Sequence, residues 1–230
     1  LFMDADLRVN ALYLSSRLRS RLADAARCPV TTIIAPTGYG KTTAAQYLQR
    51  RIAAEAPDAY LFRQFLSGGG RQEFWAGLCR ALHTAPQLPA QLRALGYPDS
   101  PHTRQQLLEL VQDALAGKPP VWFILDDVHL LSGGEAAELV SFLAERLPPQ
   151  AHLILLSRNQ IFSEAQKLRL GSRLLELGAA DLRLTQEELQ NLVHNAKNCE
   201  RARKAIKKLR EEIGESKENI REYDRETLDL

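Results

Sequence analysis

The segment Val30-Thr-Thr-Ile-Ile-Ala-Pro-Thr-Gly-Tyr-Gly-Lys-Thr-Thr43 constrains the fold of this chain more than any other. Its first six residues are β-branched or apolar, the pattern of a buried strand, and they run straight into a loop marked by Pro and Gly. From Thr42 to Arg51 the pattern turns helical. Strand, loop and helix in that order match the spacing G-x-x-x-x-G-K-[ST], with Ala35 in the place of the first Gly. The spacing has a physical reason. Gly38 and Gly40 let the backbone curl so that successive N–H groups face inward toward an anion. The helix beginning near Lys41 adds its positive end. Lys41 is then placed to reach the β- and γ-phosphates of a nucleotide, and the Thr42 hydroxyl to bind Mg²⁺. Pro36, Thr37, Gly38, Tyr39, Gly40, Lys41, Thr42 and Thr43 are therefore the expected phosphate-binding residues. The competing explanation is a Gly-rich turn that matches by chance, and the flanking strand and helix count against it.

Other apolar runs extend the pattern. Val121–Leu125 and His152–Leu156 are nearly continuous, as in strands buried on both faces of a parallel sheet. Ala59–Phe62 is a weaker strand and Leu174–Leu177 a short one. Helical periodicity covers about 11–26, 41–54, 71–83, 103–116, 135–146 and 160–170. Strands alternating with helices predict βαβ units: a three-layer α/β/α body with a mostly parallel sheet.

The run Val121–Leu125 delivers Asp126 and Asp127 to a strand's C-terminal end, where ligands bind in open α/β sheets. We assign Asp126 to the metal and Asp127 to orienting or deprotonating an attacking water; the alternative for Asp127 is a cap on the following turn. His129 reads as packing or loop hydrogen bonding. Arg158 follows the run 152–156 at the same edge, where a guanidinium can sense a γ-phosphate or simply face solvent. No Asn-Lys-x-Asp motif reads guanine, which favours adenine.

Composition bounds the rest. A chain of 230 residues, 45% apolar and 25% charged, can bury one substantial core. No apolar run approaches the ~20 residues needed to span a bilayer, and Leu1–Asp6 lacks the basic-then-apolar order of a signal peptide. Cys28, Cys79 and Cys199 are odd in number and widely spaced, which fits packed, reduced thiols in a cytoplasm. Residues 1–190 carry 17 Arg and 3 Lys, whereas 191–230 carry 5 of each. We therefore place a nucleotide-binding body over 1–190 and a charged, amphipathic helical tail over 191–230, native to the body or of different origin.

Ala35-Pro-Thr-Gly-Tyr-Gly-Lys-Thr-Thr43, Leu125-Asp-Asp-Val-His-Leu-Leu131 and Leu153-Ile-Leu-Leu-Ser-Arg158 together resemble the ATPase domain of the maltotriose-activated, LuxR-type transcription activator family, within the STAND class of signal-transduction ATPases. In those terms the phosphate loop is a Walker A motif and the acidic strand end a Walker B motif. Phe74–Leu82 and Leu168–Thr185 are similar to further parts of that domain, so the resemblance spans roughly 12–192. It implies a P-loop fold in which an extra strand separates the phosphate-loop strand from the acidic strand. It also implies a switch: ADP favours a closed monomer, inducer and ATP an open, self-associating form, and slow hydrolysis resets it. Two positions depart from the family. Ser67-Gly-Gly-Gly70 replaces an acidic stretch, and Arg17 is the nearest counterpart of an arginine that contacts the nucleotide ahead of the first helix. No sensor or DNA-reading domain fits within these residues, so no direct DNA contact and no membrane partner is expected of them.

Thr185-Gln-Glu-Glu188 has capping-box spacing. Beyond it Leu192, Cys199, Ile206, Ile213 and Ile220 recur by sevens, with Ala202, Leu209, Ser216 and Tyr223 as a partner series. This seam suits pairing with another chain, or an amphipathic helix or hairpin lying on the body. The basic cluster Arg201–Lys208 is followed by acids and reads as a solvated face. Three functions are weighed: a slowly hydrolysing regulatory ATPase binding ATP or ADP with Mg²⁺, a pseudo-ATPase interaction module, and a P-loop kinase in which Asp127 serves an acceptor hydroxyl.

Overall fold

A computed structural model describes residues 14–82, 88–131 and 134–194, together with Glu200. Five strands, β1 (Val30–Ile34), β2 (Tyr60–Phe65), β3 (Val121–Asp126), β4 (Ala151–Ser157) and β5 (Leu174–Leu177), form one sheet in the order β2-β3-β4-β1-β5. Every pairing is parallel. This is the P-loop arrangement expected from the sequence, and β4 is the extra strand between β1 and β3.

Side chains that alternate along each strand feed two separate cores. Val121, Phe123 and Leu125 of β3 and Leu153 and Leu155 of β4 face one cluster. It is completed by Phe74 and Leu78 of α3 (Gly70–Ala81), Leu88 and Leu92 of α4 (Leu88–Leu95), Leu107 and Val111 of α5 (Pro101–Leu115) and Leu139 and Val140 of α6 (Glu135–Arg146). Trp122 and Ile124 of β3, Ile154 and Leu156 of β4 and Ile33 of β1 face the other. Leu18 and Leu22 of α1 (Ser16–Ala25) and Ala44, Leu48 and Ile52 of α2 (Lys41–Glu55) cover that side. A helix α7 (Glu164–Leu170) and a single turn α8 (Ala179–Leu182) flank β5 in sequence.

Local signals fix the helix ends. Ser15 accepts a hydrogen bond from the Leu18 amide at the start of α1. Ser100 and Thr103 form a reciprocal capping box at α5, with Pro101 in the first turn. Ser163 and Gln166 do the same at α7, which starts at Glu164 rather than near 160 because that box sets its first turn. The helix α4 is not among the stretches of helical periodicity read from the sequence; Pro89 falls in its first turn, where a missing N–H costs nothing. Strand β2 runs on through Arg63, Gln64 and Phe65, paired in register with Ile124, Leu125 and Asp126.

Contacts divide the chain into two units, Leu1–Arg183 and Leu184–Leu230. In the second, Thr185 Oγ1 accepts from the Glu188 amide and a Glu188 carboxylate oxygen accepts from the Thr185 amide, opening a helix over 186–194. Leu192 lies on that helix; Cys199, the rest of the sevenfold series and Arg201–Lys208 lie outside the described residues. Cys28 and Cys79 are free thiols, both raised in pKa chiefly by burial.

The contact between β2 and α3 leaves no room for a side chain at Gly77, where an added Cβ would stand 1.7 Å from Gln64 Oε1. Gln64 is 5% exposed and its Nε2 donates to the Glu73 carbonyl, so it cannot swing away freely. Gly77→Ala should therefore cost about 1–3 kcal/mol in urea unfolding. The same substitution in a Gln64→Ala background should cost clearly less, and equal costs in the two backgrounds would remove this contact as the cause.

Candidate functional site

Because all five strands run the same way, the loops after β1, β3 and β4 open on one edge of the sheet, and these three strands are neighbours. After β1 the chain curls through Gly38 and Gly40, at φ of 86° and 82°. That region costs an L side chain about 1–2 kcal/mol, which accounts for glycine at both positions. Gly40 is the N-terminal cap of α2, with no side chain closing the helix start and no acidic residue in its first turn. The Ala44 amide bonds to the Gly40 carbonyl at 2.9 Å, so the amides before it have no partner within the helix. Residues 36–39 and Thr42 are exposed.

The Lys41 side chain folds back over this loop, and Nζ donates to the carbonyls of Ala35 at 2.7 Å and Pro36 at 3.0 Å. Burial pushes the Lys41 ammonium below the usual lysine range and the Arg158 guanidinium adds to the shift, while Asp127 and Asp126 pull against it. The predicted residues Lys41, Asp126, Asp127 and Arg158 thus share one electrostatic environment. Arg158 is exposed just past β4. The Arg17 guanidinium donates to the Arg183 carbonyl at 2.8 Å.

Asp127 adopts φ 60°, the one non-glycine residue with positive φ among the described residues. Aspartate tolerates the left-handed region better than most side chains, yet the conformation carries strain of the kind concentrated at functional sites. It turns the chain from β3 into a 3₁₀ turn, Val128–Leu131, and leaves the Asp127 carboxylate 39% exposed. His129 Nδ1 stands 3.8 Å from Asp127 Oδ1.

Asp126 is different. Its Oδ1 accepts from the Asp127 amide at 3.0 Å, and its Oδ2 accepts from Arg63 at 2.6 Å. The two side chains are only 10% and 6% exposed. Arg63 is further held by Gln49 of α2, whose Oε1 accepts from it at 3.2 Å, and its guanidinium lies 4.5 Å from the centre of the Phe65 ring. Sequence reasoning missed Arg63 and Gln49. A signal was present: Leu61, Arg63 and Phe65 share one face of β2, so an arginine there must find a partner on the α2 side of the sheet. Ser157, fully buried at the end of β4 with its Oγ accepting from the Asn159 amide, was missed as well.

The Thr42 hydroxyl and the two carboxylates are hard oxygen donors of the kind Mg²⁺ takes. Oδ1 of Asp126 retains a lone pair beyond the one used by the Asp127 amide, so the donor set fits the ion in kind, with Arg63 as a competitor at Oδ2. The loop after β2 holds its anion internally. The Glu73 carboxylate accepts from the Ser67 amide and hydroxyl and from the Gly69 amide. Burial opposes ionisation there, but these hydrogen bonds keep the Glu73 carboxyl below its ordinary range.

Residues 24–161, more than half of the chain, match the family model described as an AAA domain. The chain belongs to the AAA domain family. Among curated proteins, this AAA domain is 28% identical over 187 residues to the HTH-type transcriptional regulator MalT of Serratia proteamaculans (strain 568). It is 26% identical over 189 residues to that of Cronobacter sakazakii (strain ATCC BAA-894). In each case the match covers 79% of this chain and 20% of the relative, so the chain spans about a fifth of the length of the curated relatives it matches. The resemblance seen in the sequence therefore holds. Among solved structures, the Aeropyrum pernix ORC1 protein in complex with DNA aligns with a TM-score of 0.50 at 14% identity, over 81% of this chain and 50% of that one, a likeness of fold. Among the described residues no helix is long and apolar enough to cross a membrane.

The buried pair and the surface pairs of this AAA domain should respond differently to neutralisation. Asp126→Asn strands the Arg63 charge and should lower the unfolding free energy by about 3–5 kcal/mol. Glu135→Gln, which breaks the half-exposed pair with Arg71, should change it by less than about 1 kcal/mol. Urea unfolding of the two variants checks this, and similar costs for both would contradict it.

Proposed function

We propose that this AAA domain is the nucleotide switch of a signal-responsive, LuxR-type transcription regulator, binding ATP or ADP with Mg²⁺ and hydrolysing ATP slowly. The observation that carries the reading is the turn from β1 into α2. Two left-handed glycines lead an exposed loop into a helix start with no side-chain cap, and Lys41 folds back over that loop. In this reading a polyphosphate takes the amides of residues 37–43 and draws Lys41 Nζ from the carbonyls of Ala35 and Pro36. Thr42 and Asp126 hold Mg²⁺, which supplies charge neutralisation on the phosphate oxygens. Asp127, already turned outward by its left-handed backbone, accepts a hydrogen bond from the attacking water and orients it. Arg158, past the end of β4, stabilises charge on the terminal phosphoryl group, and Ser157 stays as the buried support beneath it.

Slow hydrolysis suits a switch, because what matters is the difference in nucleotide affinity between two conformations. Self-association through this domain or through the tail helix is the output we infer, inside a cytoplasmic parent protein. DNA contact is assigned to regions other than these residues. Arg17 enters only as a contact to the nucleotide from the N-terminal side, which would require it to leave the Arg183 carbonyl.

A second reading, a pseudo-ATPase that holds nucleotide without turnover, is favoured by one observation: the metal carboxylate Asp126 is already neutralised by Arg63. Single-turnover hydrolysis separates the two. Lys41→Ala should abolish measurable ATP and ADP binding in calorimetry, and retained affinity would refute the phosphate-loop assignment. Asp127→Asn keeps a side chain that tolerates positive φ, so it should fold and bind normally while hydrolysis falls by about 10²-fold or more. Turnover equal to the parent's would remove Asp127 from the chemistry.

A further inference from the structure

Arg63 sits where a phosphate-loop site needs a free carboxylate. Strand β2 is placed beside β3 in the register Arg63↔Ile124 and Phe65↔Asp126. Side chains of Leu61, Arg63 and Phe65 alternate onto the face that carries Ile124 and Asp126, the face covered by α2. Arg63 therefore crosses to Asp126 from the adjacent strand, and its charge-assisted bond to Oδ2 is among the shortest ion-pair contacts in the domain. Gln49 from α2 and the Phe65 ring fix the guanidinium from two further sides.

The geometry points to Arg63 as a built-in counter-ion that competes with Mg²⁺ for Asp126, so that the domain grips the nucleotide's phosphates with little help from the metal. This rests on the nucleotide-binding reading above and deepens it. Three consequences follow from charge alone. With Arg63 in place, the pair presents little net charge to an arriving divalent ion, which must either displace the guanidinium from Oδ2 or settle for Oδ1 beside it. Without Arg63, a 94%-buried carboxylate is left uncompensated, and a cation gains the whole attraction. The phosphate loop itself, made of amides and Lys41, needs no metal to hold an anion. Coupling between metal and nucleotide should then be weak in the parent and strong once Arg63 is neutralised.

The test uses the whole chain and the variant Arg63→Gln, which keeps a donor toward Gln49 and removes the charge. Calorimetry with ADP in EDTA and in millimolar Mg²⁺ gives the metal's effect on affinity. In the parent it should be less than about tenfold, and in Arg63→Gln at least about tenfold larger than in the parent. A large metal effect in the parent, or the same small one in both proteins, overturns the proposal. Mg²⁺ alone, without nucleotide, provides an independent arm. The thermal midpoint of Arg63→Gln should rise with Mg²⁺ while that of the parent stays put; a rise in both, or in neither, overturns it. Should the parent bind no ADP in either buffer, the nucleotide reading fails, and this arm still decides the competition at Asp126. Should Arg63→Gln not fold, the parent decides: insensitivity to Mg²⁺ in affinity and midpoint supports the proposal, and sensitivity in either overturns it.

Discussion

The parallel sheet is the constraint from which the rest follows. Strands that all run one way must collect their C-terminal ends on one edge, and they need helices on both faces to return the chain. With β4 inserted between β1 and β3, the glycine loop, the paired aspartates and Arg158 arrive from three neighbouring strands without any loop having to reach far. The buried faces of β3 and β4 make that edge rigid, since hardly a side chain on either strand is left to solvent. A rigid edge is what a phosphate site requires, because its amides are worth most when they are already aimed before the ligand comes.

Charge on this edge is arranged in layers. Two cations, the half-buried Lys41 and the exposed Arg158, stand toward the open side, and Lys41 donates to its own loop's carbonyls. Beneath them lies Asp126, whose charge is cancelled by Arg63 from the side. Asp127, strained and outward, is the carboxylate left to the solvent. A ligand rich in negative charge therefore meets Lys41 and Arg158 as well as the half-exposed Asp127. The one deeply buried carboxylate among these groups, Asp126, is paired with Arg63.

Much of this was legible in the sequence wherever the signal was local. The phosphate loop was readable because its glycines, lysine and threonine are consecutive and their conformational demands are set within a few residues. The strands β1, β3 and β4 were readable because burial on both faces demands unbroken apolar runs, and α6 matched its periodicity from end to end. What escaped depended on partners far along the chain. Strand β2 looks too polar beyond Phe62 until Arg63 is seen to meet Asp126, 63 residues away. The loop Ser67–Gly70 looks featureless until Glu73 is found to supply its anion. Helix α4 carries Pro89 in its first turn, a place where proline is harmless although it breaks the helical pattern of the sequence.

We propose that polyphosphate is held by the amides at the turn from β1 into α2. Hydrogen exchange of individual amides, followed with and without ADP, measures this directly. Slowed exchange at residues 37–43, with amides on the far edge of the sheet unchanged, is the predicted result. ADP-dependent protection elsewhere that left residues 37–43 exchanging as before would contradict the account.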